Sequence, residues 1–164
     1  MTEAHSNARL LEIIDEAQTI AMVGASNNPV RPSFFVATYF NSRGRRIIPV
    51  NPMLVGEGLF GEPFLASISD IPKGTAVDMV DIFRRSDEVP AIVDEALEHL
   101  IPGLRTIWMQ YGVSHADAAQ RARASSLNVV ENRCPKVDHM RLAGALNSAG
   151  VKTGVVSSRL PRTP

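Results

Sequence analysis

The sequence predicts an α/β protein: a Rossmann-like, doubly wound, mostly parallel five-stranded sheet with helices on both faces. Two features of the sequence carry this. Short unbroken apolar runs, each stopped by glycine or polar residues, have the character of strands buried on both sides. Between them lie stretches with helical spacing, and that alternation specifies parallel strands joined by helical crossovers. The length of 164 residues suits one domain that buries a core without disulfides or metal.

The opening segment from Ser6 to Ala17 places Leu10, Leu11, Ile13, Ile14 and Ala17 at helical intervals, with Ser6 or Asn7 available to accept the first free N–H groups. Its acidic residues exclude a signal peptide. Thr19 to Gly24 is the first strand. A helix is expected from Arg31 to Asn41, with Pro32 in its first turn and Gly44 past its end. Arg45 to Val50 forms the second strand, and Pro49 inside it removes a ladder donor, which places it at an edge or strand end. Asn51 to Gly74 is mostly loop, with a helical turn near Ile68.

Ala76 to Phe83 is the third strand, and Asp87 to Leu100 is a helix capped by Ser86. Thr106 to Gln110 gives the fourth strand, Ser114 to Ser125 a helix, Leu127 to Glu131 the fifth strand, and Lys136 to Asn147 the last helix. Residues 1–18 are expected to pack on the domain as a helix, 19–149 to form its body, and 150–164 to be a loosely held tail with an edge strand at Val155-Val156.

Lysine plus arginine equals aspartate plus glutamate at 17 each, with a pI near 6.9, so nothing in the overall charge points to nucleic acid or an anionic membrane. Cys134 is the only cysteine, which excludes an internal disulfide and suits a reducing compartment. No apolar run approaches the roughly 20 residues of a membrane span. A soluble, cytoplasmic protein is expected. The sequence leaves a homo-oligomer or a protein partner open.

Doubly wound sheets bind ligands at the carboxyl ends of their strands. Those ends are Gly24-Ala25-Ser26, Asn51-Pro52, Phe83-Arg84-Arg85-Ser86, Gln110-Tyr111-Gly112 and Asn132-Arg133-Cys134. Of the three glycines of G-x-G-x-x-G only Gly24 is present, yet a tight turn into a helix N-terminus still offers N–H groups and partial positive charge to a phosphate. Ser26 adds a hydroxyl and Arg31 a cation. Strand two ends without the acid that NAD-binding proteins use for ribose, whereas Arg43, Arg45 and Arg46 would suit a ribose phosphate, as in NADP or coenzyme A. A plain strand-to-helix turn and a solvated arginine face explain these residues equally well.

Four histidines show no metal-ligand spacing. His5 and His99 are structural in position, and His115 starts a helix beside Gly112. His139 follows Cys134 by five residues, so a Cys–His pair is conceivable, although a lone cysteine is more often a small buried hydrophobe. Asp78 and Asp81 point to opposite faces of their strand, which is poor for joint acid–base work. Trp108 belongs to the core; Tyr111 either packs on an adenine or caps the sheet.

Five ordered motifs, V-G-A-S-x-x-P-x-R-P-S, I-I-P-V-N-P, V-D-I-F-R-R-S, W-M-Q-Y-G-V and N-R-C-P-K, run from about Thr19 to Leu142. Together they resemble the small stand-alone CoA-binding proteins, the YccU-like group, similar in fold to the CoA-binding domain of the succinyl-CoA synthetase α subunit. The resemblance implies coenzyme A or an acyl-CoA as ligand and no reaction of the chain's own; the synthetase's phosphorylated histidine lies in a separate domain that this chain is too short to hold. It implies that Gly24, Ala25 and Ser26 lie against the phosphates with Arg31 nearby, that Asn51 and Pro52 border the nucleotide, that Phe83, Arg84 and Arg85 line the cleft, and that Gln110 and Gly112 close it. Two rival readings are an NADP-linked oxidoreductase, disfavoured by the missing glycines and the absence of room for a substrate domain, and a redox-responsive protein using Cys134.

Overall fold

A computed structural model describes residues 4–148. In chain order it holds α1 (Asn7–Glu16), β1 (Thr19–Val23), α2 (Pro32–Asn41), β2 (Arg46–Val50), β3 (Gly58–Leu59), β4 (Glu62–Pro63), β5 (Met79–Ile82), α3 (Val89–His99), β6 (Thr106–Met109), α4 (Ala116–Ala124), β7 (Asn128–Val130) and α5 (Pro135–Ser148). Five strands form one sheet in the order β2-β1-β5-β6-β7, every neighbouring pair parallel. The expected fold class is observed.

Both faces of this sheet are covered, which is why its strands are unbroken apolar runs. Ile20 and Met22 of β1 pack with α1, α2 and α5, and Ala21 and Val23 pack with α3 and α4. Alternate residues therefore enter opposite cores. The apolar stripe of α1, Leu10 with Leu11, Ile13 and Ile14, is buried against the first face, and Ser6 caps it by accepting the Arg9 N–H at 3.2 Å. Burying a side chain of that size removes about 1.5–3 kcal/mol of apolar exposure, so the N-terminal helix is part of the core.

Pro49 lies in β2, an edge strand, as its missing donor requires. Beyond it, Leu65 donates its N–H to Pro49 O at 3.0 Å and accepts the Asn51 N–H at 2.8 Å. The connection from β2 to β5 contains a feature the sequence reading omits, the antiparallel β3–β4 hairpin. Its two-residue turn, Phe60-Gly61, has φ of 51° and 81°. Positive values at both positions define the turn that favours hairpins, but the usual signature is Asn-Gly or Asp-Gly and two-residue strands carry no alternation.

Two boundaries differ for physical reasons. The third apolar run starts regular pairing only at Met79, because Asp78 turns its carboxylate to accept the N–H groups of Gln18 and Thr19 at 3.1 and 2.9 Å. Before α3, Ser86 to Glu88 form a 3-10 turn, and the Ser86 hydroxyl accepts the Ser114 N–H at 3.1 Å instead of capping a helix. The suggested strand at Val155-Val156 lies outside the described residues.

Candidate functional site

The strand order reverses between β1 and β5, because the chain leaves β1 toward β2 on one side and returns to β5 on the other. At such a switch point the connecting loops diverge and leave a crevice at the carboxyl ends of the strands. Gly24 sits there. Its φ is +84°, and a Cβ added to it would lie 2.5 Å from Phe83 O and 2.9 Å from Arg84 Cδ. Glycine is thus required twice, by backbone conformation and by the approach of the β5 loop.

The turn is pinned from several sides. The Gly24 N–H donates to Val50 O at 2.8 Å. Asn51 donates from Nδ2 to Ala25 O at 2.9 Å, while its Oδ1 accepts the Met53 N–H at 3.0 Å. Ser26 Oγ accepts from Asn28 N–H at 3.0 Å, Asn28 Oδ1 accepts from Val30 N–H at 3.1 Å, and Asn27 bonds to Glu57. These polar residues order the turn by local side-chain to backbone bonds. Arg31 occupies the N-cap of α2, exposed and without a side-chain capping bond, and Pro32 follows in the first turn.

Across the crevice, Phe83 is half-buried and Arg84 donates to Glu88 Oε1 from Nε and Nη2 at 3.2 and 2.7 Å. Arg85 reaches Asp87 at 3.2 Å and remains largely exposed. Hydrogen bonding from Arg84, with the nearby arginine charges, holds the Glu88 carboxyl below its ordinary range. Gly24, Pro52 and Arg84 line a cavity of about 390 Å³ floored by Val23 and Val50. A larger open cleft of about 980 Å³ flanks edge strand β7 near His5 and Arg123; of the strand ends named from the sequence, Asn132 and Arg133 line it. The smaller cavity is the better candidate because the pinned Gly24 turn and Arg84 meet at it, although Asp87, Glu88 and Glu95 line it as well.

Two expectations change. Arg43, Arg45 and Arg46 lie at the amino end of β2, opposite the crevice, since β2 runs from Arg46 to Val50. Arg45 donates to the carbonyls of Asp15 and Ala17, Arg46 pairs with Glu62, and Arg43 stacks on Tyr39 at 3.6 Å from the ring centroid. They serve α1, the hairpin and α2. Gln110 does not present its side chain to the cleft: it is buried, with Nε2 2.8 and 3.0 Å from the two carboxylate oxygens of Asp81. Burial pushes the Asp81 carboxyl up to about 7 against the opposing bond from Gln110. Gly112, at φ +76°, donates to Asn132 Oδ1 at 2.7 Å and so joins the β6 loop to the β7 loop.

Ser86, Glu88 and Asn132 tie the rim; Ser86 and Asn132 stand among the strand ends expected from the sequence, but their partners across the rim were not legible there. Glu88 had a local signal of its own, its placement four residues after Arg84. Trp108 is buried, with Nε1 donating to Arg133 O at 2.8 Å. Tyr111 is exposed. Cys134 is buried, and burial pushes its thiol up, which keeps it protonated and weakly nucleophilic. His139 places Nδ1 2.6 Å from the Tyr39 hydroxyl and Nε2 3.5 Å from Asp15, so its partners are Tyr39 and Asp15. His115 caps α4 by accepting the Ala118 N–H at 3.3 Å, and His5 holds the Val129 carbonyl at 3.0 Å. Among the described residues, no helix is long and apolar enough to cross a membrane.

The chain is similar to known proteins over most of its length. The Bacillus subtilis protein YneT, itself uncharacterized, is 33% identical over 134 residues, which is 82% of this chain and 94% of YneT. A solved structure from Thermus thermophilus is 36% identical with a TM-score of 0.76, covering 84% of this chain and 99% of that one. A hypothetical protein from Pyrococcus horikoshii OT3 is 30% identical with a TM-score of 0.76, covering 88% and 100%. Residues 18–140 match the model of a family described as a CoA binding domain. That match spans β1 through the first part of α5, including every loop of the crevice, and the chain belongs to the CoA binding domain family.

Proposed function

We propose that the chain binds coenzyme A, free or as an acyl thioester, in the crevice between the β1 and β5 loops, and performs no reaction of its own. The observation that carries this reading is the pinned Gly24 turn at the switch point, with Arg84 directly across from it. In this reading the backbone of Gly24, Ala25 and Ser26 and the first turn of α2 face the pyrophosphate, where N–H groups and the helix dipole favour anions. Arg31, Arg84 and Arg85 supply the cations. Asn51 holds the turn, Pro52 borders the nucleotide with Phe83, and Gly112 closes the far end of the rim. The ligand is a soluble small molecule in the cytoplasm, with no part for nucleic acid or membrane.

Isothermal titration calorimetry with coenzyme A, acetyl-CoA and NADPH tests the reading. Saturable binding of coenzyme A, at least ten times tighter than NADPH, is expected. No heat from coenzyme A or acetyl-CoA at millimolar concentration, with tight binding of NADPH, would replace it with a dinucleotide reading.

A further inference from the structure

Below the Gly24 turn, on the α2 and α5 face of the sheet and opposite the face that Val23 and Val50 give to the cavity, lies a buried acid that the binding reading does not use. Asp81 is two residues before Phe83, so the two side chains share a face of the sheet, with the Asp81 Cα about 7 Å further back along the strand. Gln110 directly follows β6 and precedes Tyr111 and Gly112. Its amide touches both Asp81 oxygens, so the pair joins the roots of the two loops that flank the crevice on the β5 and β6 side.

The environment leaves a negative charge there uncompensated. Met22 of β1 and Trp108 of β6 flank Asp81 in register, both fully buried and uncharged. The titratable side chain that Asp81 influences from the α5 side is the Cys134 thiol, itself kept protonated by burial. Gln110, a neutral amide, is the donor that the described residues give to Asp81. A forked bond from one amide offsets only part of the cost of burying an ionised carboxylate. A polyanion arriving in the crevice adds repulsion across a poorly screened interior.

We propose that the Asp81–Gln110 pair is a positioning element of the crevice, and that an anionic nucleotide binds there together with one proton taken from solvent onto the Asp81 carboxylate. This rests on the coenzyme A reading above. In the free protein the acid and its conjugate base are both populated near neutrality, consistent with a carboxyl raised to about 7. Ligand binding shifts that balance to the protonated form, in which the pair holds the β5 and β6 loops without a buried charge. The proton equilibrates with solvent and no covalent bond of the ligand changes.

The test is calorimetry of coenzyme A binding between pH 6 and 8, in phosphate and in Tris, on the wild type and Asp81→Asn. The 3′-phosphate of coenzyme A titrates near 6 in both proteins, so the difference between them isolates Asp81. From pH 6 to pH 8 the affinity of the wild type is expected to fall about tenfold relative to Asp81→Asn. The two buffers, which differ in ionisation heat, should reveal proton uptake in the wild type that Asp81→Asn lacks. Gln110→Met removes the amide and should move the wild-type profile to higher pH, which decides the matter if Asp81→Asn does not fold. Binding with identical pH profiles and proton counts in all three proteins overturns the proposal alone. No binding to any of them at any pH overturns the coenzyme A reading and this proposal with it.

Discussion

Substituting alanine at Gly24 and, separately, at Gly112 measures how tightly the crevice is built. Both glycines have positive φ, +84° and +76°, so each alanine carries the cost of a left-handed backbone, about 1–2 kcal/mol. Only Gly24 is also crowded. Its new Cβ would lie 2.5 Å from Phe83 O, whereas nothing lies within 4 Å of a Cβ at Gly112. The carbonyl cannot swing aside, because it belongs to the backbone that the Phe83 N–H anchors to Val23 O at 2.8 Å. Separating the β1 and β5 loops adds roughly 1–3 kcal/mol, the usual range for overpacking. Gly24→Ala should therefore cost about 3 kcal/mol in urea unfolding followed by circular dichroism, and Gly112→Ala about 1 kcal/mol. Coenzyme A affinity should drop at least tenfold in Gly24→Ala, since the displaced turn is the proposed phosphate seat. Equal destabilisation of the two variants, within about 0.5 kcal/mol, would refute the close approach of the loops as the reason for glycine at position 24.

Three other outcomes follow from buried groups. Asp81 stays protonated in the folded state to about pH 7 and in the unfolded chain only to about 3.8, so folding takes up a proton between those values and stability falls as pH rises through that window. Between pH 5 and pH 8 the wild type should lose about 2–3 kcal/mol more than Asp81→Asn in urea unfolding, and parallel curves would show that the acid is not buried as described. Tyr39→Phe removes the hydroxyl 2.6 Å from His139 Nδ1 in the interior between α2 and α5, and should lower stability by about 1–2 kcal/mol; a change under 0.3 kcal/mol would mean that His139 bonds elsewhere. The Cys134 thiol should react with a thiol-specific chromogenic disulfide at least a hundredfold more slowly in the folded protein than in urea, and reaction at the rate of a free thiol would contradict its burial.

What the sequence made legible was governed by neighbours close along the chain. Pro32, Gly44 and Ser6 act within one helical turn, and their positions located α2 and the start of α1. The double burial of β1 showed in Ile20 to Val23 because period-2 packing against two cores leaves no polar position. The Gly24 turn was visible for the same reason, although its second cause was not: Phe83 lies 59 positions away, and no pattern around Gly24 announces that a carbonyl will sit 2.5 Å from its missing Cβ.

The rim shows the limit most clearly, because its ties join distant parts of the chain. Asn51 to Ala25 spans 26 residues, Gln110 to Asp81 29, and Gly112 to Asn132 20. Each pairs residue types that are polar filler in most loops, and only the register of β1, β2, β5, β6 and β7 makes them meet. Gln110 was misread on that account: as the residue closing a strand in a family of ligand binders it belongs to the cleft, but β5 carries an acid on the same face one strand away, and a buried carboxylate claims the nearest donor before solvent or ligand can. The arginines at 43, 45 and 46 were misread for a simpler reason, since a parallel strand puts its preceding residues at the edge opposite its following ones. The cations left at the crevice, Arg31 on one loop and Arg84 and Arg85 on the other, are separated by more than 50 positions, yet their loops leave the carboxyl ends of neighbouring strands where the strand order reverses. An anion bound between them would bridge two loops that the free protein already joins through the close approach at Gly24 and the Phe83 N–H bond to Val23 O, and this is why the turn and the arginines belong to one site.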